Sequence, residues 1–302
     1  MLDYLCVGGV FIDDIVFPNG ETCMEVLGGG SVHCGAGMRV WDERPGLAGC
    51  AGRDLPQRAL ERLERDFDLR GLIRLDIPQV RAWQLFEWDG RRTEVFRVDE
   101  IAPYLDRPLP EETAAVYSKV GAMSLLRDAA DVASWRQHYP DTVLLWEPEQ
   151  AFMTARNREA FIAALPLVDI VSPNLLEASL VYGFDDPERL VRQMLADGAK
   201  VVALRMGEAG SLVGVREMDA LVRTPPVPVA QIVDQTGAGN SYCGGFLVGW
   251  RRSGDPFIAA CYGAVSASFT LEVTGVLDTS REDLHEQRDQ RLAWVKSHTH
   301  RV

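Results

Sequence analysis

The segment Asp234-Gln235-Thr236-Gly237-Ala238-Gly239-Asn240 puts three small residues where the chain turns into a strongly apolar, helix-like run reaching Trp250. Glycine takes positive φ at little cost and lets backbone come close to a ligand. A helix starting here offers unpaired N–H groups and the positive end of its dipole. Gly237, Ala238 and Gly239 therefore read as an anion hole suited to phosphate, with Asn240 as the N-cap of the helix. A plain strand-to-helix connection has the same look, so the turn alone decides little. The helix also carries Gly244 and Gly245, which weaken it unless something packs closely against them.

Other residues able to do chemistry are scattered along the chain. Asp13 and Asp14 end a stretch of apolar residues, Asn174 and Glu177 stand three apart, and Arg205 precedes Gly207 and Gly210. Each has an ordinary alternative: an acid closing a strand, a helix cap, a solvated helix charge. Six cysteines include no C-x-x-C pair, which fits reduced, packed thiols, and five histidines include no H-E-x-x-H pair that would hold zinc.

Bringing such distant residues together requires a scaffold. The 302 residues are 47% hydrophobic and 25% charged, enough for one large core. No run of 18 or more apolar residues marks a membrane span, and the start Met1-Leu2-Asp3-Tyr4 lacks the basic region of a secretory leader, so a cytoplasmic location and no membrane partner are expected. A net charge of −13 would repel a nucleic-acid backbone. A small-molecule partner is expected instead.

Short apolar runs at 4–10, 46–50, 120–125, 142–146, 168–172 and 200–204 alternate with helix-like segments at 54–68, 157–164 and 186–196. That rhythm predicts an α/β fold, a mostly parallel sheet with helices on both faces, in one domain over 1–302. Residues 80–88, then Asp89-Gly90, then 92–98 break the rhythm as a hairpin. With 11–27, the segment 78–100 is expected to form a small β lid, over the active site or as the seam of a homodimer. The Pro225-Pro226-Val227-Pro228 stretch belongs at a sheet edge, and 229–233 reads as a strand end.

The order of these features resembles the PfkB (ribokinase-like) family of carbohydrate and nucleoside kinases over essentially the whole chain. The carriers are Gly8-Gly9-Val10-Phe11-Ile12-Asp13, Gly28-Gly29-Gly30, Gly49-Cys50-Ala51-Gly52-Arg53-Asp54, Pro173-Asn174-Leu175-Leu176-Glu177, Arg205-Met206-Gly207-Glu208-Ala209-Gly210 and the Gly237–Asn240 turn. The resemblance implies a three-layer ribokinase-like fold with a small β lid, using ATP and Mg2+. It implies substrate contacts from Asp13, Gly29, Gly30 and His33, and nucleotide contacts from Asn174, Arg205, Gly207 and Gly210. Glu177 would order the waters of Mg2+, and Asp234 would lie by a monovalent-cation loop able to take K+.

Two departures stand out. The family's catalytic base closes G-A-G-D, and here Asn240 stands in that place; losing a positioned base costs about 10²–10⁴-fold in rate. The family's sugar-binding Asn after the glycines is replaced by His33, or by Cys34 if the glycines pair one residue later. Together with Arg81-Ala82-Trp83 and Trp146-Glu147-Pro148, the G-A-G-N turn resembles a divergent branch of the family found in fungi. The expected function is an ATP-dependent phosphotransferase acting on a hydroxyl of a sugar, nucleoside or related polyol. The alternative is a weak or inactive kinase homologue that binds nucleotide or metabolite as a sensor or scaffold. On these terms Asn240→Asp should raise turnover if only the base is missing. A dinucleotide-binding dehydrogenase fits worse, for want of G-x-G-x-x-G after the first strand.

Overall fold

The computed structural model describes residues 1–88, 92–99 and 101–302, with the side chain of Arg92 left aside. The Asp89-Gly90 turn lies outside the described residues.

The strands are β1 (Leu2–Val7), β2 (Phe11–Val16), β3 (Thr22–Gly28), β4 (Gly46–Ala51), β5 (Leu72–Arg74), β6 (Arg81–Phe86), β7 (Arg92–Phe96), β8 (Val120–Arg127), β9 (Val143–Pro148), β10 (Ile170–Val171), β11 (Val201–Arg205), β12 (Ser211–Val215), β13 (Val222–Thr224) and β14 (His300–Arg301). The helices are α1 (Gly30–Arg39), α2 (Gln57–Asp66), α3 (Ala102–Leu105), α4 (Pro110–Val116), α5 (Ala129–His138), α6 (Arg158–Ala164), α7 (Leu175–Tyr182), α8 (Pro187–Ala196), α9 (Ala238–Ser253), α10 (Pro256–Thr270) and α11 (Leu284–His298).

The large sheet runs β14-β13-β12-β11-β10-β9-β8-β1-β4-β5. From β5 through β11 neighbouring strands are parallel, and β12, β13 and β14 close the far end antiparallel. Strand side chains alternate between faces, and here both faces are covered. Tyr4, Cys6, Ala122, Leu145 and Ala203 join a core with Met38 of α1, Phe246 of α9, Val265 of α10 and Val295 of α11. Leu5, Val7, Met123, Trp146 and Leu204 join the opposite core with Trp135 of α5, Phe161 of α6, Val181 of α7 and Met194 of α8. This is the three-layer α/β architecture expected from the alternating pattern.

The small sheet runs β3-β2-β6-β7, with β2 and β6 parallel and the outer pairs antiparallel. Its inward face presents Asp13, Gln84, Phe86 and Phe96 to a cavity. On its outer face Asp14 is fully buried beneath Arg81 and Arg97. Burial opposes ionisation of Asp14, but hydrogen bonds from Arg81 and the Glu25 N–H outweigh it and hold the carboxyl below its usual range. Trp83 lies 4.6 Å under the Arg97 guanidinium, and Trp88 is 81% exposed.

Three local expectations need correction. Residues 229–233 form no strand: Pro225, Pro226 and Pro228 deny the ladder its donors, and the chain instead rims the cavity, donating from Val233 N to the Leu271 carbonyl at 2.8 Å. Asn240 is not an N-cap. That place falls to Gly237 at φ 76°, whose carbonyl accepts the Ser241 N–H at 2.8 Å, leaving Asn240 inside the first turn of α9. The helix expected at 54–68 starts only at Gln57, after Pro56.

Candidate active site

A cavity of about 1060 Å³ opens along the carboxyl ends of the parallel strands, beneath the small sheet. That edge is where parallel α/β sheets bind ligands. One end is lined by Asp13, Gly29, Gly30, His33, Gln84 and Phe96, the other by Gly207, Gly210, Thr236, Gly237, Ala238 and Gly239. Glu147, Asn174, Glu177, Arg205 and Asn240 lie between, so the structure gathers the sequence-derived site residues around one cavity, apart from Asp234.

At the first end, Asp13 is 3% exposed and accepts a hydrogen bond from Gln84 Nε2 at 3.0 Å. Gln84 Nε2 also reaches Glu94 Oε1 at 2.7 Å, so its amide NH2 is shared by two carboxylates and Gln84 Oε1 is left as a buried acceptor without a partner among the described residues. Gly29, at φ 102°, lies against the Gly9 carbonyl, where a Cβ would collide. The chain can make that turn into α1 only with glycine. Phe11 and Phe96 meet edge-to-face at 5.9 Å above this region.

At the second end, the Gly237-Ala238-Gly239 turn is held from both sides. A Cβ on Gly237 would collide with the His33 ring, so that buried ring lies directly on the turn. A Cβ on Gly239 would collide with Arg205 Nη1. Behind the turn, Asp234 Oδ1 accepts from Thr236 N at 2.8 Å and Oδ2 from Gly275 N at 3.2 Å, bracing the loop. Gly210, at φ 79°, packs on the Thr224 carbonyl, and its N–H closes a tight turn onto the Gly207 carbonyl at 2.9 Å. Farther along α9, Gly244 faces the Cys34 carbonyl of α1 and Gly245 faces α10 at Tyr262 and Ser266. These are the close approaches that glycines inside a helix require.

The centre of the cavity holds an ion cluster. Arg205 Nη1 lies 2.7 Å from Glu147 Oε1, and Nη2 lies 3.8 Å from Glu177 Oε2. Glu147 Oε2 accepts from Asn240 Nδ2 at 2.9 Å. Glu177 Oε2 accepts the Asn174 N–H while Asn174 Oδ1 accepts the Glu177 N–H, both at 2.8 Å, a reciprocal cap on α7. Asn174 therefore carries the helix-cap role that was its ordinary alternative, whereas Glu177, buried within the same cap, is not a solvated helix charge; both line the cavity as well. Burial raises the Glu177 carboxyl above its usual range, with Arg205 pulling the other way. For Arg205, burial favours the neutral form, but Glu147 outweighs it and the guanidinium is held more firmly charged.

Glu147 ties this cluster together and was noticed in the sequence only within Trp146-Glu147-Pro148. A usable signal was there: an acid at the carboxyl end of a buried parallel strand, β9, points at the ligand edge of such a sheet. Gln84 and Glu94 were hidden because their role depends on how the small sheet folds over the large one.

The donor set suits a nucleoside triphosphate. Thr236 Oγ1 and Arg205 Nε are buried without partners among the described residues, and both residues line the cavity beside the Gly237-Ala238-Gly239 turn. It also suits Mg2+, which keeps most of its waters and needs few protein oxygens. Glu177 spends one oxygen on the α7 cap, and the other accepts no hydrogen bond among the described residues. No helix among the described residues is long and apolar enough to cross a membrane.

Comparison with known proteins agrees with this architecture. The pfkB family carbohydrate kinase signature matches residues 125–283, more than half of the chain. The chain belongs to that family, whose members are phosphotransferases. It is 27% identical to a cytidine kinase of Thermococcus kodakarensis over 83% of this chain and 90% of the relative. A Schizosaccharomyces pombe protein is 25% identical, over 91% of this chain and 86% of its own. An Escherichia coli ribokinase II solved with ATP and Mg2+ superimposes with a TM-score of 0.77 at 19% identity, covering 96% of this chain and all of that one.

Proposed function

We propose that this chain is an ATP-dependent kinase that phosphorylates a hydroxyl of a sugar, nucleoside or related polyol. One observation carries the reading: a single continuous cavity joins Asp13 and the small sheet to the Gly237-Ala238-Gly239 turn, so phosphoryl donor and acceptor can share it. The triphosphate would lie over the three N–H groups of the turn, with Arg205 neutralising charge beside Gly239. Asp13 would accept from acceptor hydroxyls and His33 would contact the acceptor across Gly237. Gly207 and Gly210 would shape the nucleotide end near Asn174. Mg2+, held through water by Glu177, would neutralise charge on the phosphates. Asp234, with both oxygens on backbone N–H groups, fits a loop brace better than a K+ ligand. The small sheet acts as a lid over this chain's own cavity. Its outer face, where Trp83, Leu85 and Val95 share a side with the Asp14–Arg81–Arg97 cluster, is the surface a homodimer would use.

The test is ADP release from MgATP by the purified chain with cytidine, adenosine, inosine, D-ribose and D-fructose in turn. Acceptor-dependent ADP supports the reading, and folded protein that transfers to none of them counts against it. Asn240, whose amide cannot take a proton, favours a second reading, a homologue that binds nucleotide as a sensor or scaffold. That reading expects an ATP-induced rise in thermal stability, as any ligand of the native state gives, without acceptor-dependent ADP.

A further inference from the structure

We propose that Glu147 is the proton acceptor of this site and that Asn240 positions it. This rests on the kinase reading above. A hydroxyl attacking phosphorus must lose its proton to a group beside the anion hole. Asn240 is the next residue after that turn, and a neutral amide has no basicity to offer.

Glu147 has both the place and the orientation. It closes β9, is 5% exposed and lines the cavity. Its two oxygens are fixed by separate donors, Arg205 Nη1 at 2.7 Å and Asn240 Nδ2 at 2.9 Å. Because the Asn240 NH2 points at a carboxylate, its amide orientation follows from the network. Oxygen Oε2 of Glu147 therefore sits one hydrogen bond from the first turn of α9, with Arg205 against the other oxygen.

Several of the other titratable groups around the site are spoken for or unsuited. Asp13 lies on the substrate wall with Gln84 on it. Glu177 holds the α7 cap. The Cys34 thiol is pushed up by its hydrogen-bonded neighbour Cys6 and by burial, and the Cys243 thiol by burial. His33 lies on Gly237 from the α1 side, and Glu149 lines the same cavity two residues beyond Glu147; these are the rivals that the Glu147→Gln measurement must separate.

In the step itself, the acceptor O–H bond breaks and its proton passes to Glu147. The acceptor oxygen bonds the terminal phosphorus. The bond from that phosphorus to its bridging oxygen breaks, and the electron pair leaves with the nucleoside diphosphate. Glu147 then returns the proton to solvent. The amide at 240 becomes intelligible in these terms. An aspartate there would face Glu147 at the 2.9 Å of the present contact, and two carboxylates so close cannot both ionise.

The experiment compares Glu147→Gln, Asn240→Asp, the double variant and His33→Asn in the full chain. It measures ADP formation from MgATP with the best acceptor of the panel and with water, ADP binding by calorimetry, and thermal midpoints from pH 5 to 9. Glu147→Gln is expected to bind ADP as the parent does, lose about 10²–10⁴-fold in kcat, and lose the acid limb of its pH–rate profile. Asn240→Asp is expected to lower kcat rather than raise it, and its thermal midpoint should fall as pH rises, since the two acids must share a proton. The double variant, with the carboxylate moved to 240, should exceed Glu147→Gln in kcat. A Glu147→Gln kcat within about tenfold of the parent, less than one positioned base supplies, overturns the proposal while the kinase reading stands. So does a gain in Asn240→Asp, or a loss confined to His33→Asn. A parent that binds ATP but forms no ADP, even with water, overturns the kinase reading and the proton-acceptor role with it.

Discussion

Replacing Arg205 by alanine removes the cation that two buried acids share. In the parent, its guanidinium contacts Glu147 at 2.7 Å and Glu177 at 3.8 Å, with side-chain exposures of 12%, 7% and 10% for Arg205, Glu147 and Glu177. It also donates to the Ser172 carbonyl at 2.8 Å. Removing one partner of a buried ion pair costs about 3–5 kcal/mol, because the charge left behind is neither solvated nor paired. The 3.8 Å contact is beyond hydrogen-bond reach and adds less than the 2.7 Å one, so the expected loss is about 4 kcal/mol. At about 2–4 °C per kcal/mol for chains of 150–250 residues, the thermal midpoint should drop on the order of 10 °C. The loss should be smaller in acid. Burial already raises Glu177, and without Arg205 the Asn174 N–H alone is left to oppose it. An acid whose folded pKa is raised contributes stability present below its unfolded pKa and lost as pH climbs through the folded value. Circular-dichroism melts at pH 5 and pH 8 would show the contrast. Glu147→Gln placed on Arg205→Ala should recover part of the loss, since it removes the charge that was stranded. Strict additivity of the two substitutions, or an Arg205→Ala loss under about 1 kcal/mol, would refute the buried-pair reasoning.

Three further outcomes follow from the geometry. Gly237→Ala must hold an L-residue at φ 76° and displace the His33 ring, so ADP should stabilise this variant much less than the parent; the left-handed conformation alone costs about 1–2 kcal/mol. Gly244→Ala gains about 1 kcal/mol in helix propensity but drives a methyl into the Cys34 carbonyl, where overpacking costs about 1–3 kcal/mol, so a net loss in chemical denaturation is expected. Burial, then Asp128, push Glu149 up to about 7 from an ordinary 4.5, so its share of stability is present below pH 4.5 and lost as pH rises to 7. Glu149→Gln should flatten the pH dependence of stability in that window, by at most about 3 kcal/mol, and an unchanged slope in urea melts would contradict the assignment.

Much of this protein was written locally. Alternation of short apolar runs with helical stretches determined the parallel sheet and its two helical layers, because strand and helix periods are properties of neighbouring residues. The glycines at 29, 210 and 237 announced turns that the backbone does adopt at positive φ. The departure at Asn240 was equally plain. What the chain could not disclose is what Asn240 touches. The sequence cast it as an N-cap or as a missing base, and the fold makes it a donor to Glu147, 93 residues away along the chain. Arg205 likewise looked like a phosphate contact, and the fold sets it between Glu147 of β9 and Glu177 of α7. Electrostatic partnership depends on distance and burial in space, and only the packing of β9, β11, α7 and α9 at one edge of the sheet fixes both.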